Sequence, residues 1–94
     1  MKLRFSREAK ADIKSIFDYI AKDNPHIAAK VVSEIERATK RLELFPLSGR
    51  KGAVVETREL VVPRMPYIAV YRVNSDMVEI VAVFHAAQDN PRGG

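Results

Sequence analysis

Eight side chains in the C-terminal half of this sequence carry usable chemistry: Arg50, Lys51, Arg58, Arg64, Arg72, Tyr67, Tyr71 and His85. Cations hold phosphate, and His or Tyr can take a proton from one oxygen and return it to another. The set would therefore suffice, on paper, to cleave RNA through its 2′-hydroxyl without a metal. Each residue also has a plainer reading. A single His at a strand end is more often a hydrogen-bonded structural group than a catalyst. Tyr67 and Tyr71 fall on one side of a strand and read as core aromatics whose hydroxyls reach the rim. Arg50 and Lys51 sit between Gly49 and Gly52, where they are either simply solvated or exposed to phosphate. Arg58 and Arg72, if the strands pair so that both project from an open sheet face, would border it as two guanidiniums that an acidic segment could satisfy.

Other chemistries are excluded by composition. The 94 residues contain no Cys and only two His, so neither a disulfide framework, a thiolate metal site nor a multi-imidazole zinc site can be built. Paired carboxylates, a phosphate-cradling glycine loop and a nucleophile elbow are also missing, and no cofactor and no metal are expected. The formal charge of +4 favours acidic surfaces and polyanions as neighbours, which a mildly basic solvated surface and a dedicated binding patch would explain equally. With 47% hydrophobic and 30% charged residues the chain is expected to fold, as a single domain over residues 1–94. No apolar run has the length of a signal peptide core or a membrane span, so a soluble protein of the reducing cytoplasm is expected, with no membrane partner.

The elements that must position these side chains follow from periodicity. Residues 2–5 alternate as a short strand with Leu3 and Phe5 inward. Ser6 is an N-cap type, and Ala9, Ile13, Ile16, Phe17 and Ile20 recur at helical spacing, which predicts a helix over about 7–22. Asn24-Pro25 stops it and starts a second helix, patterned by Ala28, Val31, Val32, Ile35, Ala38 and Leu42 to about residue 44. The link is so short that the two helices form an antiparallel hairpin. Residues 45–52 break the period with Pro46, Gly49 and Gly52 and read as a loop, with Phe45 and Leu47 tucked onto the core. Three strands follow at about 56–62, 66–74 and 77–85, joined by short links that force antiparallel neighbours. Residues 86–94 are expected to be a loose tail. The fold class is α+β in the order β-α-α-β-β-β, with a helical hairpin on one face of a small antiparallel sheet.

Strict alternation along the last two strands would place Tyr67, Ala69, Tyr71 and Val73 with Val78, Ile80, Ala82 and Phe84 under the helices. The opposite face then carries Ile68, Val70, Arg72, Val81, Val83 and His85. Such a face is usually polar and wet, so an apolar strip there signals a partner.

The motifs, taken in order, resemble the RelE/ParE toxins of bacterial type II toxin-antitoxin systems over nearly the whole chain. They comprise residues 12–20 of the first helix, Asn24-Pro25 with Ala28-Ala29, Leu42 with Phe45-Pro46 and Gly49-Arg50, Arg58-Glu59-Leu60-Val61, Pro66-Tyr67-Ile68-Ala69-Val70-Tyr71, and Val78-Glu79-Ile80 leading to Phe84-His85. The strand motifs look like the ParE branch in particular. The family fold agrees with the element order read from periodicity.

The resemblance implies a toxin, as found in plasmid stabilization systems, neutralised in a hetero-oligomer by a cognate ParD-like antitoxin that would dock on Ile68, Val70, Arg72, Val81 and Val83. The ParE-like branch inhibits DNA gyrase and lacks a recognisable nuclease set, which implies no catalytic residue and a target-binding rim of Arg50, Lys51, Arg58 and Arg64. The RelE-like branch cuts messenger RNA on the ribosome, and Arg58 and His85 are the only residues that align with nuclease positions. Gln88 and Asn90 stand where many relatives have Arg and Trp, and no Tyr follows Tyr71, so the ribonuclease alternative is the weaker one. An inactive antitoxin-binding module is a third reading.

Overall fold

The computed structural model describes residues 1–88. Strand β1 (Lys2–Phe5) runs directly into helix α1 (Arg7–Ala21), where the Ser6 hydroxyl accepts the Ala9 N–H at 3.0 Å. Asn24 caps helix α2 (Pro25–Lys40) in the same way, its side-chain oxygen accepting the Ile27 N–H at 3.1 Å, with Pro25 in the first turn where no N–H is needed. The second helix was expected to reach residue 44; it tightens instead into a 3₁₀ turn at Arg41–Glu43. Its inner stripe of Ala28, Val31, Ile35, Ala38 and Leu42 is buried. The buried Thr39 hydroxyl donates to the carbonyls of Ile35 and Glu36, so the stripe holds no orphaned polar group.

Four more strands complete one sheet: β2 (Arg50–Lys51), β3 (Arg58–Val61), β4 (Tyr67–Val73) and β5 (Met77–His85), in the order β1-β5-β4-β3-β2. The pairs among β2 to β5 are antiparallel, as expected from their short links. The sheet as a whole is mixed, because β1 lies parallel to β5 with Leu3 opposite Val78 and Phe5 opposite Ile80. A parallel neighbour needs a long crossover, and the hairpin and three strands between β1 and β5 supply one. The two-residue strand β2 arises inside the stretch expected to be loop.

A bulge decides which residues face the helices. Val70 stands opposite Ala82 and the next residue, Tyr71, opposite Ile80, so Val81 is an extra residue in β5. Side-chain parity therefore reverses at Val81. The helix-covered core takes Tyr67, Ala69 and Tyr71 with Val78, Ile80 and Val83, and Leu3, Phe5, Ile13, Ile16 and Ile20 pack against it. A second cluster on the opposite face contains Ile68, Val70, Ala82 and Phe84, with Val81 against them. Strict alternation assigned Val83 and His85 to that opposite face and Ala82 and Phe84 to the core; for β5 beyond the bulge the assignment is the reverse. The cluster is also better shielded than expected, since its four main members are buried within the chain itself.

Asp12 of α1 holds the bulged end of β5, its carboxylate accepting the Val83 N–H at 2.9 Å. The first residues of the expected loose tail are ordered instead. Ala86 donates to the Pro66 carbonyl, and Gln88 closes a turn on His85 through its N–H and its side-chain oxygen. Residues 89–94, including Asn90, lie outside the described residues.

Candidate functional site

The basic residues singled out by sequence divide into separate groups. Arg58 stands opposite Tyr71 and so shares the helix-side face, whereas Arg72 stands opposite Glu79 on the other. The two do not flank the apolar strip as a pair, although both line a groove of about 750 Å³ with Leu47, Lys51 and Glu56. The Arg58 guanidinium donates to the Gly49 carbonyl at 2.8 Å and the Leu47 carbonyl at 3.3 Å. The Tyr71 hydroxyl, from a fully buried ring, accepts the Gly49 N–H and donates to the Pro46 carbonyl, both at 2.8 Å. Two side chains of the sheet thus clamp residues 46–49. Gly49 is required there, because a Cβ would stand 2.6 Å from the Tyr71 hydroxyl oxygen and 2.8 Å from the Glu59 carbonyl.

The clamp corrects one expectation for this loop. Phe45 and Leu47 do not tuck inward; they are exposed, as is Leu44. Backbone hydrogen bonds, not apolar burial, fix the segment, and Leu42 is the last apolar residue of the helical stripe to reach the core.

Arg50 forms an ion pair with Glu59, its Nη2 at 3.0 Å and its Nε at 3.2 Å from one carboxylate oxygen. Lys51 is the register partner of Arg58. Arg50, Lys51 and Arg58 therefore gather at one end of β3. Arg64 lies beyond the other end, in the turn to β4, with φ of 64°. It belongs to no common rim with the other three.

His85 packs edge-on against Tyr67, with ring centroids 5.4 Å apart at 82°, and its Nδ1 accepts the Ala87 N–H at 3.0 Å. That bond places the ring proton of a neutral imidazole on Nε2. Burial, with a smaller contribution from nearby Tyr19, raises the Tyr67 hydroxyl above its ordinary value of 10.0. Asp12, Tyr19, Tyr67 and His85 line a cleft of about 620 Å³ between α1 and the end of β5. His85 is opposite Tyr67 while Arg58 is opposite Tyr71, four positions away along β4. That offset is about 13 Å of strand, and the two residues also sit on different strands. The two nuclease-aligned residues are not brought together. Among the described residues no group of three His, Cys, Asp or Glu could hold a metal ion.

On the opposite face, Val70, Val81 and Ala82 floor a groove of about 510 Å³ rimmed by Arg4, Arg7, Arg72 and Glu79. Arg4 is drawn to Glu79 at 3.5 Å, leaving Arg72 exposed beside the floor. Of the residues expected to receive a partner, Ile68, Val70, Arg72 and Val81 lie on this face and Val83 does not. Sequence reasoning missed Asp12 and the Tyr71–Gly49 contact. Glycine before a basic pair was the only signal for the latter.

Comparison with known proteins supplies the remaining observations. Residues 3–90 match the family model for the ParE toxin of the type II toxin-antitoxin system parDE. Y4kP of Sinorhizobium fredii, described as a toxin, is 43% identical over 91 residues, covering 97% of this chain and 94% of its own. The toxin RelE2 of Caulobacter vibrioides is 38% identical over 80 residues, covering 85% and 89%. Among solved structures, a chain of the chromosomal ParDE system of P. aeruginosa superposes with a TM-score of 0.81 at 31% identity, covering 90% of this chain and 95% of that one. The toxin-antitoxin complex RelBE2 of Mycobacterium tuberculosis matches with a TM-score of 0.58 at 26% identity, covering 93% and 92%. Among the described residues, no helix is long and apolar enough to cross a membrane.

Proposed function

The chain belongs to the ParE family of type II toxins, and on that basis we propose that it arrests growth without catalysis, by binding DNA gyrase, and that a ParD-like antitoxin neutralises it. The observation that carries the non-catalytic reading is the commitment of Arg58. Its guanidinium is engaged by two loop carbonyls and stands well away from His85, so the acid-base and phosphate-holding groups that RNA cleavage needs do not converge. Likeness to a ParDE structure supports the choice of antitoxin.

The antitoxin segment would occupy the face with Val81, Arg72 and the groove between Arg4, Arg7 and Val70. Much of that cluster is already buried in the isolated chain, so the attraction comes from the remaining groove floor and from charge, rather than from four fully exposed aliphatic residues. Arg72 offers a bidentate contact to a carboxylate there.

Supercoiling by purified gyrase, measured with increasing toxin, tests the target. Inhibition relieved by the antitoxin is expected. Undisturbed supercoiling, together with codon-periodic messenger RNA cuts that vanish in His85→Ala, would replace this reading with ribosome-dependent cleavage.

A further inference from the structure

Three apolar side chains in a span of four residues point into solvent: Leu44, Phe45 and Leu47 are 78%, 59% and 63% exposed. Single exposed leucines need no explanation, but a cluster on one short segment does. The segment is not loose. Tyr71 and Arg58 hold the Pro46, Leu47 and Gly49 carbonyls and the Gly49 N–H, and the Leu44 and Phe45 amides both donate to the Arg41 carbonyl. A rigid ridge that displays apolar side chains has already met the ordering cost that binding would otherwise impose.

Charge narrows the partner. Residues 40–51 contain Lys40, Arg41, Arg50 and Lys51 against the single acid Glu43, a net +3 within a chain of +4. Lys40 pairs with Glu43 and Arg50 with Glu59, while Arg41 and Lys51 have no ion pair among the described residues. Phe45 and Arg41 share one groove, of about 380 Å³ with Ala38 and Leu60, on the helix side of the sheet. Leu47 and Lys51 share another, with Val54 and Val55. Each apolar anchor thus has beside it a cation with no ion pair among the described residues, and in the Leu47 groove Lys51, Arg58 and Arg72 outnumber the one acid, Glu56.

We propose that the ridge at residues 44–51 is the surface by which this toxin grips its protein target, with Phe45 and Leu47 as anchors in an apolar cavity and Arg41 and Lys51 against an acidic rim. This rests on the reading of the chain as an inhibitor that works by surface complementarity, and it shifts the centre of contact from Arg58 and Arg64 to the loop. Nucleic acid fits the ridge less well, since Leu44 and Leu47 gain nothing from phosphate. A second copy of the chain would bring +3 against +3. The groove proposed above for the antitoxin is floored by the opposite face of the sheet and meets the Leu47–Lys51 groove only at Val54, Thr57 and Arg72.

The test uses the triple variant Leu44→Ser/Phe45→Ser/Leu47→Ser, with Val61→Ser as a control for loss of an exposed apolar residue elsewhere. Binding to purified gyrase holoenzyme and, separately, to 70S ribosomes is measured for the full chain, with the melting temperature and sedimentation of each protein. Loss of two buried anchors weakens binding by roughly 100-fold or more, while the control stays near wild type and both variants melt like wild type. Lost binding to gyrase supports the ridge and the inhibitor reading together. Binding to ribosomes and not to gyrase overturns the inhibitor reading and, with it, a protein target for the ridge. Unchanged affinity in the triple variant overturns the ridge alone, as would a wild-type dimer that the variant abolishes. Wild-type binding to neither probe overturns both.

Discussion

Removing a single oxygen from the core tests the clamp. Tyr71→Phe keeps the buried ring and deletes the hydroxyl that accepts from Gly49 and donates to Pro46. Each bond is worth about 1 kcal/mol net, and a donor left without a partner costs about 1–3 kcal/mol. The Gly49 contact is buried, whereas the Pro46 carbonyl is only partly so and can turn to water. The variant is therefore expected to lose about 1.5–3 kcal/mol, which for a domain of this size lowers the melting temperature by roughly 6–24 °C. Gly49→Ala attacks the same contact from the other side, driving a methyl to 2.6 Å from the hydroxyl oxygen. Removing that oxygen relieves part of the clash, so the double variant should be more stable than the sum of the two losses predicts, by more than about 0.5 kcal/mol. Relief stays incomplete because the added Cβ also meets the Tyr71 ring carbon Cε1 at 2.7 Å, which phenylalanine keeps, and the Glu59 carbonyl at 2.8 Å. Urea unfolding of the four proteins gives the cycle directly. A Tyr71→Phe chain within 0.5 kcal/mol of wild type, or strictly additive losses, would refute the idea that this contact fixes the loop.

The bulge gives a sharper contrast: Val83→Asp puts a charge into the helix-covered core and should unfold the chain or cost about 3–5 kcal/mol, while Val81→Asp, on the partly open face, should fold and lose antitoxin affinity. Equal melting temperatures for the two would contradict the parity reversal. Asp12→Ala takes the acceptor from the Val83 N–H and should cost about 1–3 kcal/mol, with the Val83 amide exchanging faster by NMR; unchanged exchange would show the contact to be incidental. Arg58→Lys keeps the charge but loses the forked donor, and Arg58→Ala loses both. Melting temperature and toxicity should fall in step across that series, whereas toxicity lost at constant stability would make Arg58 a target contact. Because the folded state raises the Tyr67 hydroxyl above 10.0, it binds that proton more tightly than the unfolded chain does. That contribution is complete below pH 10 and disappears as pH rises through the folded value, so Tyr67→Phe should flatten the alkaline fall in stability measured by denaturation.

Local signals placed the elements well because each had its own physical cause within a few residues. Ser6 and Asn24 mark the helix starts through the hydrogen bonds they make, and the apolar spacing from Ala28 to Leu42 gives the buried stripe. The parallel placement of β1 was not legible, because Lys2–Phe5 alternates identically whichever way its neighbour runs. Nor was the β2 strand, whose two residues acquire their conformation by pairing with β3 rather than from their own preference.

The candidate site failed to read out for a related reason. Alternation in β5 is valid only up to Val81, and nothing in the run Val81-Ala82-Val83-Phe84 distinguishes a regular strand from a bulged one, since both parities are apolar. The polar residues Glu79 and His85 flank that run but do not report its register, since the bulge between them puts them on opposite faces although strict alternation gives them the same one. The same ambiguity moved His85 beside Tyr67 and under α1, and sent Val83 to Asp12. Arg58 was misplaced by a different gap: strand pairing put it opposite Tyr71, and the loop carbonyls then claimed its guanidinium. Exposure of Phe45 and Leu47 follows from that claim. Once Tyr71 and Arg58 satisfy the backbone of residues 46–49, the loop needs no apolar anchor, and its leucines and phenylalanine are left free for a surface other than its own core.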